Sequence, residues 1–226
     1  MRPVVDGVLL PQQPVEIYAA GKQTKVPVLI GSNADEGTAY PVVMMPAAFE
    51  ADARKRYGAE ADSMLALYPA KTDEEARASS YALMRDRTFA GPIRRWGIEQ
   101  SKVAPVFMYH FSRVHPFIDG IGFQQQDPGS RMGAYHGAEM AYAYGTYDVL
   151  NRFGATRAWT DADRKYSDAM MGYWLAFARS GDPNAEGLPA WPAYKPDAEQ
   201  LMLFGQDIKP GVLPNKPQLD FFTNRN

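Results

Sequence analysis

The run Val26–Ile30, VPVLI, constrains the fold of this chain more than any other segment. It is short, continuous and apolar, and it stops at Gly31. Its β-branched content and length suit a strand buried on both faces of a parallel sheet. A second run, Pro105–Phe111 (PVFMYHF), has the same character, and Gln200–Phe204 (QLMLF) reads as a third, shorter strand.

Between and after these runs the periodicity is helical. Pro46–Tyr57 reads as a helix with Gly58 as its stop, and Glu60–Leu67 places Ala61, Met64, Leu65 and Tyr68 at helical spacing. Thr72 can cap a helix through Arg87, whose first turn holds Asp73, Glu74 and Glu75 at the positive end of the dipole. Pro92 fits the first turn of a further helix toward Lys102. Thr160–Ser180 is the clearest helix, with Tyr166, Met170, Tyr173, Trp174 and Phe177 on one face and Gly181 beyond its end. The first 25 residues read as an extended arm with a helical turn at Glu16–Ala20. Residues 112–135 are rich in glycine and proline, a loop long enough to suggest a functional role.

Strand, helices, strand and more helix make an α/β pattern. Three strands are few for so many amphipathic helices, and some would have no sheet to cover. The shortage predicts that the chain is part of a larger fold. With 226 residues it can build one large domain or two small ones.

Composition removes several classes of function. There is no cysteine, so disulfides, thiolate metal sites and a cysteine nucleophile are excluded. The formal charge of −2 and the lack of a basic block give no reason to expect nucleic acid. No apolar run is long enough to cross a bilayer. The opening residues have neither a signal-peptide core nor a cleavage site. The compartment stays open, cytoplasmic or exported.

Two residues draw attention as chemistry. Glu36 follows the first strand, where α/β sheets place their sites, and Gly31 and Gly37 suggest a sharp turn around it. His136 lies between Gly133 and Gly137, which allow close approach of a reacting partner. A loop acid beside a turn glycine, or a helix N-cap by Asp35, is the alternative for the first. A structural histidine explains the second. A metal shared by His136 and Glu139 is the third reading, but zinc needs at least three suitably spaced protein ligands and none joins this pair. No serine stands in a G-x-S-x-G elbow: Ser32 lacks the second glycine, Ser130 has no strand before it, and Ser180 ends a helix. Neither an oxyanion-hole loop of the HGGG type nor a phosphate-binding glycine pattern is present.

Several segments together resemble the type-B carboxylesterase family, which includes the cholinesterases. They are PVVDGVLLPQQP at 3–14, PVLIGSNADEGT at 27–38, GAYHGAEMAYAYG at 133–145, YW…FARSGDPN across 173–184, and WPAY at 191–194. The resemblance implies an α/β-hydrolase fold of which residues 1–226 are the C-terminal portion, the nucleophile-bearing N-terminal segment being absent. It implies hydrolysis of small carboxylic esters by a Ser-Glu-His triad without a cofactor. Glu36 falls on the family's D-E-G acid, His136 on its H-G-x-E base, and Glu139 on that motif's second acid, a hydrogen-bonding support. The segment before His136 is expected to help form the substrate pocket, with Phe117, Ile118 and Phe123 as candidates. On this reading the chain is inactive by itself and needs the complementary N-terminal segment. The alternative is a non-catalytic cholinesterase-like module that binds a partner protein.

Overall fold

The computed structural model describes residues 4–121 and 132–223; Phe123 and Ser130 lie outside them. One sheet runs through the middle in the order β1-β2-β3-β4. Strands β1 (Val28–Asn33), β2 (Val106–Phe111) and β3 (Gln200–Phe204) are parallel neighbours, and β4 (Ile208–Val212) returns antiparallel to β3. The first strand begins two residues later than the apolar run predicts and extends through polar Ser32 and Asn33. Pro27 has no N–H to enter the ladder, whereas Ser32 and Asn33 are in register with His110 and Phe111. β4 is invisible as a strand in the sequence because IKPGV carries Pro210 and Gly211. At a sheet edge a proline costs no ladder bond.

The helices are α1 (Pro14–Ala19), α2 (Pro46–Tyr57), α3 (Ala61–Leu67), α4 (Asp73–Arg85), α5 (Gly91–Ser101), α6 (Met140–Ala143), α7 (Asp161–Ser180) and α8 (Lys216–Thr223). Thr72 caps α4 by accepting the Glu75 N–H. At α7 Thr160 and Asp163 form a reciprocal capping box. Side chains alternate across β2 and divide the core. Phe107 and Phe111 join Met170 and Tyr173 of α7, with Trp191 and Phe204, on one face. Val106 and Met108 join Ile93 and Ile98 of α5, with Tyr194 and Leu201, on the other. This is a helix–sheet–helix sandwich.

A third cluster, Phe49, Ala53, Met64, Tyr68 and Leu83, ties α2 and α3 to α4 away from the sheet. These helices solve the strand shortage by packing on one another.

The sequence predicts a helix through Arg87 and a fresh one at Pro92. The structure instead runs α4 into α5 through a π turn, Asp86–Ala90. Pro92 lacks the N–H that a straight helix would give to the Thr88 carbonyl. The register slips by one residue, and the Gly91 N–H bonds the Asp86 carbonyl five residues back.

Candidate active site

At the end of β1 the chain enters a tight helical turn, Glu36–Ala39, which carries Glu36 inward. Glu36 is buried, only 4% exposed. Oε1 accepts the backbone N–H of Asn33 at 2.8 Å, and Oε2 lies 2.6 Å from His136 Nδ1. With the carboxylate ionised, that bond requires the proton on Nδ1. The imidazole is 49% exposed, and its Nε2 makes no hydrogen bond among the described residues.

The loop bearing the base is fastened to the loop bearing the acid. Asp35 donates its N–H to the Ala134 carbonyl at 3.1 Å and accepts the Ala134 N–H on Oδ2 at 2.8 Å. The two loops meet as a parallel bridge between Asp35 and Tyr135. Asn33 donates its amide to the Tyr135 carbonyl at 2.8 Å and to Glu139 Oε2. Thr38 Oγ1 lies 2.8 Å from the Asp35 and Met132 carbonyls. Asp35 therefore does not cap the turn with its side chain; the carboxylate grips the base's loop. Asn33, Asp35 and Thr38 are contributors that sequence reasoning missed, although all three stand inside the motif that singled out Glu36.

The expected reason for the two glycines also changes. Neither Gly31 nor Gly37 has a positive φ. A Cβ on Gly31 would stand 2.3 Å from the Tyr109 ring, and one on Gly37 would stand 2.2 Å from the Tyr81 carbonyl oxygen. These glycines serve close approach, and Gly37 lets the acid's turn lie directly against α4.

Burial pushes the Glu36 carboxyl above its ordinary value, opposed by the Asn33 N–H and by His136, while the charge of Glu139 pushes the same way as burial. Glu139 reaches Asn33, so it touches the acid only through that residue. Two aromatic rings flank the base: Phe89 at 4.7 Å between centroids and Tyr40 at 6.0 Å. Nothing in the sequence spacing marks either.

The other histidines lie elsewhere. His115 is buried, its Nε2 2.8 Å from the Ala138 carbonyl, and desolvation lowers it to about 4. His110, on β2, is lowered to about 4 by burial and then by the Arg85 charge. Ser32 lies on β1, and Ser180 bonds the Ala176 carbonyl at the end of α7. Among the described residues no serine hydroxyl bonds His136, and no group of three or more acids and histidines could hold a metal ion. Phe117 packs on the Arg157 guanidinium at 4.9 Å and on Tyr135, the neighbour of the base. Ile118 donates its N–H to the Thr156 carbonyl. A cavity of about 660 Å³ lies among α1, α5 and α8, lined by Tyr18, Trp96 and Phe222, with neither Glu36 nor His136 in its walls.

A buried carboxylate on Nδ1 of a half-exposed imidazole fixes one tautomer and stabilises the imidazolium. It leaves Nε2 able to take a proton from a hydroxyl and return it to a leaving group.

Comparison with known proteins identifies the family to which the chain belongs. The model of the carboxylesterase family matches residues 1–222. The chain is 30% identical to the pyrethroid hydrolase Ces2a of Mus musculus over 227 residues, covering 92% of this chain and 38% of that protein. It is 27% identical to the para-nitrobenzyl esterase of Bacillus subtilis, covering 96% of this chain and 41% of that protein. Among solved structures, a thermophilic para-nitrobenzyl esterase superposes with a TM-score of 0.74 at 26% identity, over 97% of this chain and 43% of its own. The chain thus spans about two fifths of the length of these relatives. Its small mixed sheet and helices correspond to part of an α/β-hydrolase.

Proposed function

The chain belongs to the carboxylesterase family, and on that premise we propose that it supplies the acid, Glu36, and the base, His136, of a serine carboxylic-ester hydrolase. The observation that carries the reading is the 2.6 Å bond from Nδ1 of a half-exposed imidazole to a buried carboxylate. On this reading the nucleophilic serine and the oxyanion hole come from a complementary segment outside these residues, in keeping with the chain's spanning about two fifths of its relatives' length. The serine hydroxyl gives its proton to His136 Nε2 as it attacks the ester carbonyl. Glu36 supports the imidazolium, which then protonates the departing alcohol. Glu139 acts through Asn33, holding the strand end from which Glu36 turns. Phe117 and Ile118 contribute to the wall on the acyl or alcohol side; the contact of Phe117 with Tyr135 supports that placement.

A polypeptide of these 226 residues has no serine in a G-x-S-x-G elbow and is expected to be inactive by itself. It is expected to show no stoichiometric labelling by a serine-directed fluorophosphonate. Joined to the nucleophile-bearing segment of the para-nitrobenzyl esterase, it is expected to hydrolyse p-nitrophenyl esters. In the joined protein Glu36→Gln and His136→Ala should each lower kcat by about 10⁴-fold. Activity that survives both substitutions would sink the assignment.

A further inference from the structure

We propose that Phe89 is a positioning residue for His136, and that the π turn Asp86–Ala90 is the device that delivers it. This rests on the reading of His136 as the base. A half-exposed imidazole held by one hydrogen bond on Nδ1 can pivot about that bond, and a pivot swings Nε2 away from the hydroxyl it must meet. The second restraint is aromatic. The Phe89 ring lies 4.7 Å from the imidazole with planes inclined at 36°, within the range of offset stacking. Tyr40 closes the cluster, 6.0 Å from the imidazole and 5.9 Å from Phe89. When the imidazole becomes positively charged, a neighbouring ring face also stabilises the cation.

The placement of Phe89 depends on the extra residue in the helix. A π turn rotates the helical segment after it relative to the segment before it, so Phe89 points where a straight helix would not send it. Three features hold the turn. Pro92 cannot supply the next regular bond. A Cβ on Gly91 would stand 2.6 Å from the Asp86 carbonyl oxygen, so only glycine admits the tight register. Asp86 is fully buried and accepts from Tyr68 Oη at 2.8 Å, Asn215 Nδ2 at 2.9 Å, and Arg85 Nε and Nη2 at 2.7 and 2.9 Å. Arg85 also donates to the Ala34 carbonyl at 3.0 Å, two residues before Glu36. One turn therefore steadies the acid's loop from below and the base's ring from its face.

The test compares Phe89→Leu, which keeps bulk and loses the ring, with Phe89→Tyr, which keeps the ring. In the 226-residue chain the imidazole Nδ1–H resonance of His136 is read by NMR, and hydrogen exchange of β2 amides reports that the fold is intact. The resonance is expected to stay sharp in wild type and Phe89→Tyr and to broaden or vanish in Phe89→Leu with β2 protection unchanged. In the joined esterase Phe89→Leu should lower kcat about ten- to a hundredfold with KM little changed, and Phe89→Tyr should restore it. A resonance that persists in Phe89→Leu overturns the proposal. So does one that is lost equally in both variants, which would assign the effect to packing. Failure of the underlying reading looks different: Glu36→Gln would then leave the Nδ1–H resonance untouched.

Discussion

His115 carries a stability signal that can be separated from the site. Burial lowers it to about 4 from an ordinary 6.5. Above pH 6.5 it is neutral whether folded or unfolded. Between pH 6.5 and 4 the unfolded chain takes up a proton that the folded chain refuses, so stability falls as pH falls through that window. Glu36, raised by burial, has the opposite sign over its own window, because the folded carboxyl keeps a proton that the unfolded one has released. The expected result is that His115→Gln weakens the acid loss between pH 6.5 and 4 by about 3 kcal/mol, read from denaturant midpoints at each pH. Equal slopes in both proteins would show that His115 does not carry it. At this scale the pairing of Glu36 with His136 is legible because family motifs surround both residues. Phe89 and Tyr40 were not, since a ring contact across the fold leaves no local spacing. Gly37 stands out in the sequence for the wrong reason: its constraint is the Tyr81 carbonyl, which no pattern in the acid's own loop reveals.

Among elements, the π turn has one buried side chain, Asp86, that joins it to its surroundings. Asp86 sits wholly out of water beside Arg85, which has 17% of its side chain exposed. Removing one member of such a pair leaves a buried charge uncompensated. Asp86→Ala should therefore cost about 3–5 kcal/mol of unfolding free energy, measured by urea denaturation. A loss below about 1 kcal/mol, the range of a surface ion pair, would show that the network does not hold the turn. Helices α2, α4 and α7 were readable from period and caps, because Gly58, Thr72 and Thr160 act locally. The join between α4 and α5 was not. Pro92 marks a helix start in sequence terms, and whether the chain breaks or slips register there depends on Asp86 finding Tyr68 and Asn215 in other elements. β4 was hidden for the same kind of reason, since only its place at the edge makes Pro210 tolerable.

In the whole molecule the two edges of the sheet differ. β4 shields its edge with Lys209 and Pro210, devices that discourage further pairing. β1 itself carries no charged residue or proline, and its apolar sequence is that of a central strand. Val28 and Ala34 donate across to the β2 side, from Val28 N–H to Pro105 and from Ala34 N–H to Phe111. The alternation of a parallel ladder then turns the amides of Leu29 and Gly31 away from β2, and the next such amide, Asn33, is captured by Glu36. In dilute chain, Ile30 and Ser32 amides should exchange slowly with solvent and those of Leu29 and Gly31 quickly. Joining the complementary segment should slow the latter pair. Fast exchange that persists in the active joined protein would mean that no strand docks there. The expectation of a partial fold comes from counting strands, and the unguarded edge is its physical counterpart.

The Asp35–Ala134 clasp has a consequence for assembly. Glu36 and His136 are 100 residues apart, and bringing the ends of a flexible loop of that length together costs about 4 kcal/mol in chain entropy. Here that closure is completed when this chain folds. On the proposed reading the imidazole is therefore anchored by the fold of these residues themselves, and only the reacting hydroxyl remains to be placed against it.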